Sequence, residues 1–431
     1  MEQLTQTTFV QQITDLNASG QDRLLILSQE AASVYNSVLD IFWNNLNNKQ
    51  KWLSAYDLQA GLKLKRVQLS SDSYIGSIQQ FAKAVSAWKK AKTAYAKNPK
   101  KFCGQPKPPT EHKRVCPIVF KRECIRYKNG YLLLSLARKL QPIKIRWNPD
   151  IGVPIYATIN WNTHRGWQGN FVFEHSVEQQ TFDVGKILGV DLGVKRIATT
   201  FDGEKAITYS GKLVMSLVRL RNKIDSSTQK KLSKLKKHSR RYKTIRRANR
   251  KVINRIQNRI TDILHKISRT IVNYCVENGI GKIVFGDCST VHVGTNTGKE
   301  NNQKIQQHPE QKLLKYISYK LESIGGLADK VQESYTTRTC PKCGNQYKPG
   351  SRTYRCQKCG FVYDRDGVGS INIWGLAQNV SLGKAIDKIA ELGVVGGLTP
   401  PIGWKHRSSQ LCVCKPRLCY SSSAAIAASV E

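Results

Sequence analysis

Two Cys-x-x-Cys pairs constrain this chain more than any other feature of its sequence. Cys340 and Cys343 form the first pair, Cys356 and Cys359 form the second, and twelve residues separate the two pairs. A glycine follows each pair and permits the tight turn that lets two thiolates meet one tetrahedral ion. The spacing predicts a zinc ribbon over residues 336–360. Four cysteine ligands would close the site, so the role of the ion is structural.

The remaining cysteines bear on the cellular compartment. Twelve cysteines occur in all, and the first thirty residues lack the basic start and the apolar segment of a secretory signal. No run approaches the ~20 apolar residues that a membrane span needs. We therefore expect a soluble, cytoplasmic protein with no membrane partner. Its cysteines outside the ribbon are poor candidates for disulfides.

The net charge predicts the kind of partner. Lysine and arginine number 69 against 30 aspartate and glutamate, which gives a formal net charge of +39. So large a surplus costs self-repulsion in the compact state unless a polyanion neutralises it. Nucleic acid is therefore the expected partner, and an anionic membrane surface is a distant second.

The positive charge is concentrated in residues 230–251, which hold twelve basic residues and no acidic one. This segment lies within a predicted helical region over residues 212–277. A solvated helix face is the alternative, but the missing acidic partners at helical spacing favour a surface that binds nucleic acid. The predicted nucleic-acid-binding residues are Lys230, Lys231, Lys234, Lys236, Lys237, Arg240, Arg241, Lys243, Arg246, Arg247, Arg250 and Lys251.

Hydrophobic periodicity outlines the other elements. It predicts helices over residues 23–46 and 73–96, and a small antiparallel barrel or sheet between about residues 116 and 175. Further along, three short strands in a meander start at about residue 185. Strands over 282–287 and 329–334 follow, and a helix opens at Asp366.

Asp191 lies at the end of the first strand of this meander. A strand that delivers an aspartate, followed later by a further strand and a helix, is the order of an RNase H-like sheet. Such sheets gather three or four carboxylates around two divalent ions. Oxygen ligands suit magnesium or manganese. A lone aspartate at a strand end is most often a cap or turn residue, so the prediction depends on the order of the elements.

Ordered blocks between residues 186 and 379 resemble the OrfB/TnpB family of insertion-sequence proteins. The blocks are GVDLGVKRIATT, KIVFGD, ESYTTRTCPKCG, YRCQKCGFVYDRD and GSINIW. The family consists of RNA-guided nucleases with a RuvC-like domain interrupted by a zinc ribbon, and it is similar to the compact type V CRISPR effectors. The resemblance implies a transposase-associated protein of a mobile element. It also implies a guide RNA, a target DNA with a short flanking motif, and metal-dependent cleavage of that DNA.

The expected fold class is α/β and α+β multidomain, with an RNase H-like (RuvC) domain that contains the ribbon. The N-terminal third matches the family only in outline, as a helical recognition part and a barrel that holds guide RNA. We predict a helical recognition region over 1–115 and a wedge-like β-barrel over 116–184. The nuclease domain covers 185–335 and 361–380, with a basic helical insertion at 212–278, and the ribbon over 336–360 interrupts it. A pattern-poor, poorly ordered tail follows over 381–431.

Two departures from the family pattern concern the expected active site. Gly286-Asp287 ends the second strand where many members have Glu-Asp, and Val368 stands where the third block usually has asparagine. A shift of one residue turns a side chain to the other face of a strand, so Asp287 replaces the missing glutamate only if the strand has already ended. Neighbouring strands lie about 4.8 Å apart, and Glu333 ends the neighbouring strand. We predict Glu333 as a relocated ligand, and an ordinary solvated glutamate is the alternative.

The predicted ligands of Mg²⁺ or Mn²⁺ are thus Asp191, Glu333 and Asp366, with Asp287 as a helper. Two rival functions stay open. One is a nuclease-dead, RNA-guided DNA-binding protein with the same architecture, and the other is a DNA-strand transferase. Carboxylates that converge within ~5 Å would favour the nuclease, because two-metal sites hold their ions that closely.

Overall fold

A computed structural model describes residues 4–48, 53–61, 67–99, 102, 104–112, 114–162, 166–176, 180–287, 298–391, 402–404 and 411–412 of the chain. The chain divides into two compact units, residues 1–177 and 178–431. None of the described helices is both long enough and apolar enough to cross a bilayer.

Three helices of the first unit follow from capping residues and apolar periodicity. They are α1 (Ala18–Asn47), α2 (Ala55–Gly61) and α3 (Ser71–Lys97). The side chain of Asn17 accepts a hydrogen bond from the backbone N–H of Gly20 at 2.8 Å, and Ser70 accepts one from Ser73 at 3.1 Å. These caps explain why both long helices begin before their apolar periodicity indicates. The predicted helices over residues 23–46 and 73–96 are confirmed.

The strands of the first unit form two antiparallel sheets, in the orders β1-β7-β6-β2 and β3-β4-β5. They are β1 (Leu4–Gln12), β2 (Ile118–Lys121), β3 (Ile125–Lys128), β4 (Tyr131–Leu134), β5 (Ile143–Arg146), β6 (Tyr156–Asn162) and β7 (Gly166–Ser176). The predicted antiparallel strands between residues 116 and 175 are confirmed. The sequence pattern did not predict β1, because threonine and glutamine stand where an alternating strand carries apolar residues.

A seven-stranded sheet in the order β12-β11-β8-β9-β10-β15-β16 organises the second unit. The elements of this unit are β8 (Asp183–Asp191), β9 (Arg196–Phe201), β10 (Ala206–Ser210), α4 (Lys212–Leu232), α5 (Arg240–Glu277), β11 (Ile280–Gly286), α6 (Lys299–Gln306), α7 (Glu310–Glu322), β12 (Leu327–Val331), β13 (Thr353–Arg355), β14 (Val362–Asp364), α8 (Arg365–Ala377), α9 (Ala385–Glu391), β15 (Ile402–Trp404) and β16 (Leu411–Cys412). Strands β8, β9 and β10 form the predicted antiparallel meander. On the other side of β8, β11 and β12 run parallel to it.

Helices cover both faces of this sheet. On one face, Val190 and Phe285 are buried in a core shared with α4, α5 and α7. On the other face, Ile187 and Val284 share a core with α8. Because side chains alternate along a strand, Asp191 lies on the same face as Ile187, under α8.

Two predictions about the second unit are wrong. The first concerns β12, which ends at Val331, whereas the sequence pattern predicts a strand up to Ser334. The N–H of Asp287 donates to the carbonyl of Val331 at 2.8 Å, and the chain then turns, so Glu333 lies beyond the strand. The second concerns the tail over 381–431. In its described residues, 381–391, 402–404 and 411–412, α9, β15 and β16 form where the sequence predicts a lack of order, and the rest of the tail lies outside the described residues. Strand β15 pairs in parallel with β10, so the edge of the sheet supplies the order that the local sequence does not signal.

Candidate functional site

The four predicted zinc ligands meet at one point. The Sγ atoms of Cys340 and Cys359 lie 3.6 Å apart, those of Cys343 and Cys356 lie 3.5 Å apart, and all four lie within 4.8 Å of one another. Zinc bound at about 2.3 Å from each sulfur in a tetrahedron places the sulfurs about 3.8 Å apart. The donor set therefore fits a closed, structural zinc site.

Glycines set the backbone geometry of both pairs. The N–H of Gly344 donates to the carbonyl of Cys340 at 3.0 Å, and the N–H of Gly360 donates to that of Cys356 at 3.1 Å. The φ angles of the two glycines are +73° and +69°, values that a residue with a Cβ adopts only at a cost. The predicted role of the glycines in the two turns is confirmed.

Asp191 ends β8 and is buried, with 7% of its surface exposed. Helix α8 lies directly on this strand end because two contact positions lack side chains. A Cβ on Gly369 would lie 2.4 Å from Oδ2 of Asp191, and a Cβ on Gly189 would lie 2.7 Å from the carbonyl oxygen of Ser370. This close packing brings Asp366, in the first turn of α8, into the electrostatic environment of Asp191.

Glu333 fills the space that a side chain at position 286 would need. Phe285 of β11 pairs with Val190 of β8, which puts Gly286 in the row beside Asp191. A Cβ added to Gly286 would lie 2.9 Å from Oε2 of Glu333 and 3.0 Å from its Cδ. The side chain of Glu333 therefore lies over Gly286, although its own backbone is in the turn beyond the neighbouring strand. The carboxylate of Glu333 thus lies in the space left by the missing side chain at position 286.

Three arginines surround the carboxylate of Asp366. Arg196 Nη1 lies 3.6 Å from Oδ2, Arg365 Nε lies 3.7 Å from Oδ1, and Arg352 forms a hydrogen-bonded ion pair with Oδ2. Asp364 caps α8 by accepting a hydrogen bond from the N–H of Asp366 at 3.0 Å, and it also pairs with Arg196. Sequence reasoning missed these four neighbours. Of the four, only Asp364 could have been predicted from the sequence, because an aspartate just before a helix is a common N-cap.

The carboxylates of this site repel one another. Burial raises the pKa of Asp191 well above its usual range, and the nearby Glu333 and Asp366 raise this pKa further against the opposing effect of Arg365. Among the described residues, only the four cysteines form a group of three or more metal ligands within 4.8 Å of one another. The three carboxylates thus share an electrostatic environment without converging that closely. A cation bound among them would relieve their repulsion.

Asp287 lies away from this cluster. Its carboxylate is 3.7 Å from Nζ of Lys330, and Lys330 pairs in register with Phe285. The side chain of Phe285 is buried on the face covered by α4, α5 and α7, opposite the face of Asp191. Strand β11 ends at Gly286, so alternation no longer fixes the direction of the Asp287 side chain, and its ion pair with Lys330 is the contact that places it. The helper role of Asp287 stays a prediction.

Asn372 joins α8 to the turn that carries Glu333. Its buried Nδ2 donates to the carbonyl oxygens of Thr336 at 2.7 Å and Thr339 at 2.8 Å. The N–H of Thr336 in turn donates to the carbonyl of Glu333 at 3.2 Å. Since Asp366 lies on the same helix as Asn372, this amide helps to fix the positions of the two carboxylates relative to each other. The spacing of the GSINIW block gave no signal of this contact.

Helices α4 and α5 form an antiparallel hairpin whose far end carries the basic cluster. Oγ1 of Thr228 donates to Oδ1 of Asn249 at 3.1 Å between the two helices. The buried residues of α5 begin at Ile256, so its N-terminal part extends beyond the core. Eleven of the twelve basic residues are exposed, and Arg250 is half-buried. In the described part of the chain none of the twelve pairs with a carboxylate.

Two family models and several known proteins match this chain. Residues 170–292 match the OrfB_IS605 family, described as "Probable transposase", and residues 311–373 match the "Cas12f1-like, TNB domain". The TnpB-like protein MJ0751 of Methanocaldococcus jannaschii is 27% identical over 212 residues, which cover 48% of this chain and 74% of that protein. A "Putative RNA-guided DNA endonuclease" of Streptomyces pristinaespiralis is 25% identical over 349 residues, with 79% and 82% covered.

The CRISPR effector Cas12f1 is similar to this chain in sequence and in structure. The endodeoxyribonuclease Cas12f1 of Sulfoacidibacillus thermotolerans is 25% identical over 239 residues, 52% of this chain and only 51% of that protein. A cryo-EM structure of a Cas12f1–sgRNA–target DNA complex aligns over 83% of both chains with a TM-score of 0.52 at 15% identity. The chain therefore has a mixed α/β fold like that of this Cas12f1. The resemblance to the OrfB/TnpB family, indicated by the sequence blocks, is confirmed.

Proposed function

We propose that this protein is an RNA-guided, divalent-metal-dependent DNA endonuclease of a mobile element. The observation that carries the proposal is the position of Glu333 over Gly286, in the row beside Asp191. A carboxylate that reaches this position from the neighbouring turn replaces the one that residue 286 lacks. The site then has the three carboxylates Asp191, Glu333 and Asp366.

The sheet supports an RNase H-like (RuvC) assignment for residues 185–335 and 361–380. A three-stranded antiparallel meander, with two further strands parallel to its first strand, is the arrangement that such a nuclease domain requires. The first aspartate stands at the end of strand β8, the middle one of the five strands β12-β11-β8-β9-β10, and Asp366 stands on the helix packed over that strand end. The ribbon over residues 336–360 interrupts the domain between Glu333 and Asp366.

The carboxylates would hold the catalytic metal. When bound, two divalent ions activate water and stabilise the leaving oxygen of an in-line displacement at phosphorus. Asp191, Glu333 and Asp366 supply hard oxygen ligands, which suit Mg²⁺ or Mn²⁺. Arg196, Arg352 and Arg365 around Asp366 offer positive charge, and a phosphodiester is the anion that such guanidinium groups bind.

Guide RNA and target DNA are the proposed partners. Relatives of this chain include proteins named as an RNA-guided DNA endonuclease and a CRISPR-associated endodeoxyribonuclease. The structurally similar Cas12f1 was seen with sgRNA and target DNA. The unpaired basic cluster at the end of the α4–α5 hairpin supplies the cationic surface that such partners need. We assign residues 1–115 to recognition and 116–184 to a wedge-like region of the same complex.

The rival function is a nuclease-dead, RNA-guided DNA-binding protein. Two observations favour this rival. The three carboxylates do not converge within 4.8 Å of one another, so they miss the criterion of ~5 Å that would favour the nuclease. In addition, Arg352 and Arg196 engage Asp366 and compete with a metal for the same carboxylate. The two functions share guide, target and fold. They differ only in whether the bound target is cut.

The test is cleavage of a guide-matched DNA duplex by the protein purified with its RNA. The proposal predicts cutting in Mg²⁺ or Mn²⁺, none in EDTA, and none by Asp191→Asn, with target binding retained by the variant. A wild-type complex that binds the target and leaves it uncut in both metals would overturn the nuclease and support the rival.

A further inference from the structure

Tyr335 has a backbone conformation that is costly for its residue type. The N–H of Thr336 donates to the carbonyl of Glu333 at 3.2 Å and closes a four-residue turn with Tyr335 in its third position. The φ angle of Tyr335 is +67°. Glycine or asparagine is the usual choice there, because a bulky side chain is strained at positive φ. Strain of this kind is typically retained where a side chain has a function.

The backbone of Tyr335 is firmly held, while the residue as a whole is exposed. The carbonyl of Tyr335 accepts hydrogen bonds from the N–H groups of Arg338 at 2.9 Å and Thr339 at 3.0 Å, and from Oγ1 of Thr339 at 3.0 Å. These contacts use main-chain atoms of Tyr335, so any residue at this position can make them. The residue itself is 55% exposed. The turn therefore does not require a tyrosine ring.

Arg338 completes the local surface. Its guanidinium lies over the ring of Tyr335, 5.9 Å from the centroid. The backbone of Arg338 is anchored in the ribbon, because its carbonyl accepts hydrogen bonds from the N–H of Tyr347 at 2.9 Å and the hydroxyl of Tyr354 at 3.2 Å. An aromatic ring with an arginine on it, presented by a rigid turn, is the combination that stacks on unpaired nucleobases.

We propose that Tyr335 and Arg338 form a platform that stacks on a nucleobase of the DNA strand cut at the carboxylate site. The proposal rests on the proposed nuclease function, because the platform begins two residues after Glu333. A guided nuclease cuts whatever sequence its guide selects, so its grip on the strand near the cut must tolerate every base. Stacking meets this need, since every base has an aromatic face.

The test separates the ring from the backbone. Tyr335→Asn removes the ring but keeps a residue that accepts positive φ, and Tyr335→Phe keeps the ring. A guide-loaded complex carrying Asp191→Asn holds an uncut target with 2-aminopurine placed in turn at positions around the expected cut. The platform predicts that one position is quenched with Tyr335 or Phe and not with Asn. In single-turnover cleavage by the otherwise native protein, Tyr335→Asn should lower the rate at subsaturating target about five- to a hundred-and-fiftyfold, the range for loss of one stacked base.

Three outcomes would overturn the platform. Quenching and cleavage by Tyr335→Asn equal to those of the native protein would show that the ring has no role. If Tyr335→Phe and Tyr335→Asn both lose quenching and cleavage while their melting temperatures are unchanged, the effect belongs to the hydroxyl group rather than to the ring. If Asn lowers the melting temperature, Tyr335→Gly replaces it as the ring-free variant. Quenching seen only with 2-aminopurine in the guide would make RNA the ligand. Because the fluorescence readout needs no cleavage, an uncut native target with normal quenching would refute the nuclease and leave base stacking standing.

Discussion

The zinc ribbon and the carboxylate site are neighbours in the chain and differ in how they are built. The ribbon takes four ligands from residues 340–359, and their sulfurs lie within 4.8 Å of one another. The carboxylate site takes Asp191, Glu333 and Asp366 from a strand end, a turn and a helix. Four cysteines complete a tetrahedral set, so an ion bound there would have a structural role only. The three carboxylates do not converge that closely.

Electrostatics also separates the two regions. The carboxylate site combines mutual repulsion, seen in the raised pKa of Asp191, with three arginines around Asp366. Charges of both signs lie at one place, and under the proposed function a phosphodiester with its metal ions would satisfy both. The geometry of the ribbon is defined by its local sequence, whereas that of the carboxylate site depends on the whole sheet.

The largest effect is expected from breaking the ribbon. Cys340→Ser should release the zinc and disorder residues 339–366, because a ribbon this short has too little core to fold without an ion whose binding contributes on the order of 10 kcal/mol. Guided cleavage should fall about a thousandfold or more, since Arg352 and the approach to Asp366 are lost with it. Metal analysis and limited proteolysis measure the first effect.

Lys342→Ala is the matched control, since Lys342 lies between the two cysteines of the same pair and is exposed. It should keep the zinc and the protease resistance. Native protein that contains no zinc would refute the assignment of the ribbon.

A smaller effect is expected at the carboxylate site from adding one methyl group. Gly286→Ala places a Cβ 2.9 Å from Oε2 of Glu333 and must displace that carboxylate. The side chain of Glu333 can swing away, so the melting temperature should change little. Cleavage should fall on the order of a hundredfold, as for an active-site group misplaced by about 1 Å.

Gly185→Ala provides the comparison within the same sheet. A Cβ at position 185 would meet only Oδ1 of Asp183, at 3.4 Å, so cleavage should remain normal. Full activity of Gly286→Ala would mean that Glu333 is not needed where it lies.

The basic hairpin belongs to neither region, and its neutralisation should have the smallest effect on the chemical step. We consider the joint change of four basic residues to alanine: Lys236, Arg240, Arg241 and Lys243. It should reduce the slope of log RNA affinity against log salt concentration by up to about 0.7 for each lost contact with a single-stranded phosphate. Single-turnover cleavage by complexes already assembled should change little. Filter binding over a range of salt concentrations measures the slope.

Four lysines that pair with carboxylates serve as the control set: Lys266, Lys282, Lys304 and Lys388. Their joint change to alanine removes the same charge, and the slope should stay close to that of the native protein. Equal slopes for the two quadruple variants would show that net charge, rather than the hairpin, governs RNA binding.

The same contrast explains how much the sequence could predict. Ligands within one short segment fix their own geometry, so the four cysteines and their two glycines were predicted completely. The strand order was predictable because β8, β9 and β10 follow one another along the chain. The tail strand β15 depends on a distant sheet edge, and its three residues carry no periodicity.

Contacts made through the tertiary fold were beyond the sequence. Glu333 was predicted as a ligand at a strand end, yet it lies in a turn and reaches over Gly286 only because β11 and β12 pair in this register. Asn372 joins α8 to the turn after Glu333, and Arg352 contacts Asp366 from within the ribbon. Val368 is fully buried in the core with α8, so the departure from the family asparagine results in packing rather than in a polar contact.

The relocated carboxylate is the central claim, and Glu333→Gln tests it most directly. Glutamine keeps the shape and removes the charge, so guided DNA binding should persist. Metal-dependent cleavage should fall about a thousandfold or more, as with Asp191→Ala or Asp366→Ala, because in-line displacement needs both ions. The matched change Asp287→Asn, directly after β11, should slow cutting only about ten- to a hundredfold if Asp287 is a helper rather than a ligand. Normal cleavage by Glu333→Gln together with an inactive Asp287→Asn would contradict the account and make Asp287 the ligand.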